Sequence, residues 1–366
     1  MKSVNQKAGY AVWALTPNGL GLAGAIAANM AAVDVYLSRS LEPETAADPL
    51  AGARFFSSLS DSLTAVFHRY RGHILIASTG IAIRIIAPLL RGKTVDPAVV
   101  VVDDRGNHAI SLLSGHIGGA NSLTRTVARI IGAEAVITTA TDVNRQPAID
   151  VLAVERDLCI ENPAAIKGVN MAILRNQRLD FHDPYRLISN ALDHERLNFV
   201  DPPGMAGAIA EWTGSVGRAG VFIDDIRVDL PAEVLILRPA TLIAGIGCNR
   251  NTATEEIQWL LNQVLDNHGL SPNSLSAIAT VSLKKDESGL LKAAETYGLP
   301  IRFYEKTELN RVDQIKNPSA MAEKHIGVKS VCEAAAILAA AGGKLIVAKQ
   351  KTANVTVAIA RIAFTS

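Results

Sequence analysis

The sequence predicts an α/β protein of two open, largely parallel α/β domains joined by a less regular middle segment, and three observations support this. From Ala11 to Asp142 short β-branched runs alternate with amphipathic stretches, the pattern of βαβ units on a parallel sheet. The same alternation returns from Thr241 to the end of the chain. Between about Arg145 and Pro239 it lapses, with Pro147, Pro163, Pro184, Pro202, Pro203 and Pro231 interrupting it and charges scattered without a period. At 366 residues the chain also exceeds the size at which one core usually divides. The expected domains are residues 1–145, a variable middle 146–238 and residues 239–366.

Element by element, the first domain opens with a strand at Ala11 to Thr16. The apolar run Gly19 to Val33 follows; it is shorter than the roughly 20 residues of a membrane span and belongs to the first βα unit rather than to a signal peptide. HILIAST, PAVVVVD, HAISLL and AVITTAT read as strands, with IAIRIIAPLL and LTRTVARII as helices between them. The unbroken apolar stretch Val99 to Val102 predicts a central strand covered on both faces. In the middle segment, helices are expected at Pro163 to Asn176 and Gly204 to Trp212. The last domain reads as strand TLIAGIG, helix Thr254 to Asn267, strand LSAIATVS, helix Ser288 to Tyr297, strand PIRFY, a last helix ending at Gly342 and Gly343, and strands KLIVAKQ and VTVAIAR. Thr252 with Glu255, and Ser330 with Glu333, have the spacing of helix capping boxes.

Charge and cysteine content exclude several classes. Thirty-six basic against 35 acidic residues leave a net charge of +1, without the basic excess of a nucleic-acid binder. Cys159, Cys248 and Cys332 are too few and too scattered for a disulfide framework or a zinc motif, which fits a reducing cytoplasm.

Ligands of open α/β sheets bind beyond the carboxyl ends of strands, so four loops are eligible. In SGHIGGAN (Ser114 to Asn121), Gly115, Gly118 and Gly119 let backbone N–H groups approach an anion, and His116 is a base or acid for use near neutral pH. The same residues also fit a tight turn with a capping histidine. TTATDVN groups Thr138, Thr139, Thr141 and Asp142, hydroxyls and a carboxylate suited to orienting a polar substrate or water; Asp142 is a candidate base or an ordinary N-cap. GIGCNRNT offers Gly245, Gly247 and Arg250 as an anion site, but Arg250 stands where a dinucleotide fingerprint needs glycine, which disfavours NAD. Cys248 reads as a buried apolar residue rather than a nucleophile. Arg84 in TGIAIR, Lys93, Lys349 and Lys351 matter if the substrate is a polyanion.

Two long stretches resemble a known family. IAIRIIAPLLRGKTVDPAVVVVDDRGNHAISLLSGHIGGANSLTRTVARIIGAEAVITTATDVN is similar to the N-terminal module of the cobalt-precorrin-5A hydrolases of anaerobic cobalamin biosynthesis. GIGCNRNTATEEI, ATVSLKKDESGLLKAAETYGLPIRFY, GVKSVCEAAAILAAAGG and KQKTANVTVAIAR are similar to that family's C-terminal module. Asn249 follows GIGC where the family pattern has a basic residue, with Arg250 next.

The resemblance implies hydrolysis of the δ-lactone of cobalt-precorrin-5A, with loss of C20 and its methyl as acetaldehyde to give cobalt-precorrin-5B. It implies no protein cofactor and no metal site, since the cobalt arrives with the substrate. The substrate's rim acetates and propionates would suit the glycine loops, with Arg84, Arg250 and Lys349 nearby. His116 or Asp142 is the expected base, and the amides of Gly118 and Gly119 the expected oxyanion donors. Ser114, Gly115, Asn121 and the three threonines complete the expected substrate contacts. Contacts with neighbouring pathway enzymes are a further expectation, and no nucleic acid or membrane is expected. The competing reading is a corrinoid-binding or channelling protein that holds the ligand without turning it over.

Overall fold

The computed structural model describes residues 8–45, 50, 52–92, 95–144, 146–200, 219–313, 315–318 and 327–363. Residues 5–151 form one compact unit and residues 152–366 another.

The first unit is built on a seven-stranded sheet in the order β3-β2-β1-β4-β5-β6-β7. Its strands are β1 (Ala8–Ala14), β2 (Val33–Ser38), β3 (Arg54–Phe56), β4 (Tyr70–Ile76), β5 (Ala98–Val102), β6 (His108–Leu113) and β7 (Glu134–Val136). Strands β1 to β5 are mutually parallel. The apolar run after β1 is helix α1 (Pro17–Asn29), started by Pro17 in its first turn and by Thr16, whose hydroxyl accepts from Gly19 N–H. Alternate residues of β5 serve different cores, as its apolar run predicts. Val100 and Val102 pack with Ile26 of α1 and Val127 of α4 (Ala120–Ile131), whereas Val99 and Val101 pack with Leu63 of α2 (Leu59–Val66) and Ile86 of α3 (Thr79–Ile86).

Strand β6 departs from the parallel pattern. It runs antiparallel to β5, with Val99 opposite Leu113 and Val102 opposite Ala109, and β7 runs parallel to β6. The cause is local: Gly106 at φ +70° and the Asp103 carboxylate, which accepts from the N–H groups of Arg105 and His108, close a tight turn. A turn this short cannot make the crossover that a parallel neighbour needs.

The middle segment is more regular than its composition suggests. Strands β8 (Cys159–Ile160), β9 (Leu179–His182), β10 (Leu197–Phe199), β11 (Gly220–Ile223) and β12 (Val234–Arg238) form a sheet in the order β10-β9-β11-β12-β8, parallel except for the β12–β8 pairing. The helix expected at Pro163 to Asn176 is α7 (Ile166–Leu174), entered through a 3-10 turn at Pro163–Ala165; α5 (Ala140–Val143) and α6 (Ile149–Glu155) precede it. Gly204 to Trp212 lies outside the described residues, as does Lys93.

The C-terminal sheet has the order β15-β14-β13-β17-β16, from β13 (Leu242–Cys248), β14 (Leu275–Val281), β15 (Ile301–Tyr304), β16 (Lys344–Lys351) and β17 (Val355–Arg361). The β16–β17 hairpin adds antiparallel pairings to the parallel β13-β14-β15 set. Helices α8 (Thr254–Asn267) and α9 (Ser288–Tyr297) begin and end where the sequence places them, α10 is Lys306–Leu309 and α11 is Val331–Ala339.

Neither expected capping box forms. Ala253 is the N-cap of α8, and Thr252 instead donates its hydroxyl to Asn249 O. Ser330 is the N-cap of α11 but makes no side-chain cap, and the buried Glu333 carboxylate is filled instead by the N–H groups of Lys316, Asn317 and Lys349. The capping box that does form joins Glu305 and Glu308 at α10.

One ion pair, Arg361 with Asp225, binds the middle sheet to the C-terminal one, and a second, within the middle sheet, reaches it through a hydrogen bond. Arg238, 1% exposed, meets Glu161 at 2.7 Å, and Glu161 also accepts from Asn273. Arg361 grips Asp225 through Nε and an Nη at 2.7 and 2.6 Å, and Thr241 donates to the same carboxylate. Among the described residues no helix is long and apolar enough to cross a membrane.

Candidate functional site

SGHIGGAN and TTATDVN leave the carboxyl ends of β6 and β7, parallel neighbours, so the two loops converge. In the first loop Ser114 takes φ +58° and Gly119 takes φ +83°, which only glycine adopts without strain. A Cβ on Gly118 would stand 2.3 Å from Ser114 Cβ, so glycine is needed there for close approach. The loop closes on itself as α4 begins: Gly119 N–H donates to His116 O, Ala120 N–H to Ser114 O and Asn121 N–H to Gly115 O. Gly119 is therefore not free to bind an oxyanion. Gly118 N–H meets no acceptor among the described residues, and Ser114 Oγ is buried without a partner.

This turn carries His116 into a ring of polar groups. Its Nε2 lies 2.9 Å from Thr141 Oγ1 and 3.4 Å from the Asp142 carboxylate, and its Nδ1 lies 3.2 Å from Asp150. Asp150 is 4% exposed, in the first turn of α6. The hydrogen bond to Asp150 raises the His116 pKa; burial opposes this, and the charges of Asp150 and Asp142 reinforce it.

Asp142 is otherwise engaged. One oxygen accepts from Asn121 at 2.8 Å and from Thr139 at 2.7 Å, and the other from Arg125 at 2.5 Å. Burial pushes its pKa up, but the bonds from Arg125 and Thr139 outweigh it and hold the carboxyl below the usual range. A carboxylate so tied is a weak base and a firm positioning group. Asn121 is equally occupied, since its carbonyl accepts from Ser111 and its amide also reaches Thr139. Thr138 is exposed on the loop surface.

TGIAIR belongs to the opposite end of the sheet. It follows β4, whose carboxyl end lies opposite the end at which β6 finishes. There the carboxyl ends of β1 and β4 flank a pocket of about 680 Å³ lined by Thr16, Ser78, Thr79, Ile81 and Asp104, at the point where the strand order reverses. Arg84 points one Nη back to Gly80 O and does not join His116.

In the C-terminal sheet the glycines of GIGC serve packing. A Cβ on Gly245 would stand 1.9 Å from Cys332 O in α11, and one on Gly247 2.7 Å from Thr356 Oγ1 in β17. Arg250, well exposed, pairs with Asp286 at 3.1 Å. Lys349 places its ammonium on the carbonyls of Asn317 and Pro318 at 2.8 and 3.2 Å. Burial lifts the Cys248 thiol to about 11, which keeps it protonated and inert. All three cysteines are free, and among the described residues no cluster of acidic, histidine and cysteine side chains is arranged to hold a metal ion.

Three successive matches lie between residues 61 and 360: residues 61–142 match the cobalamin synthesis G N-terminal family, 147–239 the cobalamin biosynthesis central region and 242–360 the cobalamin synthesis G C-terminus. The cobalt-precorrin-5A hydrolase of Priestia megaterium is 32% identical over 374 residues, covering 99% of this chain and 97% of that protein. The chain belongs to the cobalt-precorrin-5A hydrolase family. Another member, the cobalt-precorrin-5A hydrolase of Salmonella typhimurium, is 35% identical over 333 residues, covering 91% of this chain and 92% of its own. The crystal structure of CobE, a protein from the cobalamin (vitamin B12) biosynthetic pathway, is 36% identical over 34% of this chain and 92% of its own, with a TM-score of 0.33.

For a cobalt-precorrin-5A hydrolase, the His116 cluster holds two residues that the sequence motifs do not mark. Asp150 lies 34 positions beyond His116, in the stretch that reads as variable middle. Its only local signal is an acidic residue in the first turn of an apolar helix. Arg125 sits one turn into α4 and reads there as an ordinary solvated charge.

Proposed function

We propose that this chain hydrolyses the δ-lactone of cobalt-precorrin-5A and releases C20 with its methyl as acetaldehyde, with His116 as the base. The observation that carries the assignment is the row Asp150, His116, Thr141. Asp150 faces Nδ1 and fixes the tautomer that leaves Nε2 as acceptor, and Thr141 Oγ1 marks the place at Nε2 where a reacting oxygen sits.

In this reading His116 Nε2 takes a proton from water as the hydroxide oxygen bonds to the lactone carbonyl carbon. The ring C–O bond then breaks, and the proton passes to the departing C20 oxygen, leaving a C20 alcohol and a carboxylic acid that loses its own proton to solvent. Removal of the alcohol proton then forms the C20 carbonyl as the C20–ring bond breaks; acetaldehyde leaves, the electron pair stays with the macrocycle, and the macrocycle takes up one proton in exchange. The free N–H of Gly118 is our candidate oxyanion donor. Asp142, by contrast, orients His116 and the threonines.

We assign no protein cofactor, because the cobalt belongs to the substrate. We place the enzyme in the cytoplasm, where three unpaired cysteines are at home, with neighbouring pathway enzymes as its further contacts. The test is incubation of the purified protein with anaerobically prepared cobalt-precorrin-5A while trapping acetaldehyde with a carbonyl reagent. Acetaldehyde from the wild type and none from His116→Ala supports the assignment. A corrinoid that binds and is returned with its lactone closed would convert the protein into a carrier.

A further inference from the structure

We propose that a cavity within residues 152–366, between the middle and C-terminal sheets, binds the rim carboxylates of a tetrapyrrole-sized polyanion. The identity of that polyanion rests on the corrinoid substrate of the preceding section; the site itself rests on volume and charge.

The cavity holds about 900 Å³, at the upper end of small-molecule sites and large enough for a macrocycle. Its charged lining is of one sign: Arg156, Arg186, Lys344 and Arg361, with no carboxylate among the lining residues. Arg361 is neutralised by Asp225 behind the wall. The other three make no ion pair and no side-chain hydrogen bond among the described residues. They come from three separate stretches of chain, which only the fold brings together. All three are exposed at the cavity wall, so their side chains can turn onto an anionic ligand. Guanidinium groups also take carboxylates in pairs of parallel bonds.

The rest of the wall suits the same ligand. Leu187, Ile346 and Ile362 offer apolar surface to a ring face. Burial lifts Tyr185 to about 12, so its hydroxyl stays protonated and brings no negative charge to the wall. The loop bearing Arg186 is held ready: the Asp183 carboxylate accepts from the N–H groups of Leu187, Ile188 and Ser189, and Arg186 itself is kept at φ +53°. A non-glycine residue held there marks a position the surroundings over-determine.

The probe is uroporphyrin III, which carries an acetate and a propionate on every pyrrole, titrated into the full-length protein by fluorescence and compared with coproporphyrin III, which keeps only the propionates. Uroporphyrin should bind more tightly, and more weakly as salt rises. Arg156→Gln and Lys344→Gln should each weaken binding about tenfold, with Lys344→Arg restoring it and melting temperatures unchanged. Wild-type affinity in both glutamine variants, or equal binding of the two porphyrins, overturns the site. Acetaldehyde release by the wild type alongside that result would leave the hydrolase reading standing. Loss of affinity in the variants, with no acetaldehyde from the wild type, would keep the site and remove the hydrolase.

Discussion

Asp150 stands 3.2 Å from His116 Nδ1 while Thr141 stands 2.9 Å from Nε2, so the imidazole is oriented from one side and presented on the other. This relationship sets the expected pH behaviour of the enzyme.

Replacing His116 with alanine should lower acetaldehyde release by about 10²- to 10⁴-fold, the range of a lost general base, with corrinoid binding retained. The rising limb of the rate–pH profile should lie above the ordinary histidine value, because Asp150 favours the protonated ring. Asp150→Asn should move that limb to lower pH. For stability the sign is that of a raised base: the His116 contribution is fully present below its unfolded pKa and is lost as pH rises through the folded value.

Asp142→Asn tests positioning against catalysis. The variant keeps the shape but weakens the pairing with Arg125, for which thermal melts should show a loss of about 1–2 kcal/mol. Its rate should fall much less than that of His116→Ala, and its pH limb should also move down, since one of the charges that raise the His116 pKa is gone. A loss as deep as that of His116→Ala, with the limb unmoved, would make Asp142 the base.

Much of the fold is legible because its signals are local. Helices α8 and α9 are written in amphipathic period, and β5 in four consecutive valines. The middle sheet is not. Its strands are two to five residues long, and their polar members, such as His182 bonded to Asp224 at 3.0 Å, are buried only because distant partners satisfy them. The site divides in the same way. His116 and Asp142 stand in recognisable loops, whereas Asp150 is a neighbour only in three dimensions. The GIGC glycines were readable as glycines but not as contacts of α11, because a ligand loop and a tight helix packing ask for the same residue.

Gly245→Ala separates those two uses. With the added methyl 1.9 Å from a backbone oxygen, the substitution should destabilise by about 3 kcal/mol or more, seen as a lowered melting temperature or insoluble protein. A variant that folds normally but binds corrinoid poorly would return the glycine to the ligand.

Glu333→Gln should cost about 2–3 kcal/mol, because a buried carboxylate accepting three backbone N–H bonds is replaced by a neutral group with one acceptor. Burial opposes the charge, but the bonds from Lys349 and Asn317 hold the Glu333 pKa down. Its stabilisation is therefore present above its unfolded pKa and lost as pH falls through the lower folded value. Denaturant melts of wild type and variant should converge in acid.

The grip of Arg361 on Asp225, with the Asn273 bond to Glu161 beside it, bears on kinetics. Walls joined by a bidentate charge pair do not part on the timescale of a diffusive encounter, so a ligand must enter through a mouth that already stands open. Association should then be a single fast phase, linear in ligand concentration and slowed by salt, with no conformational step before it.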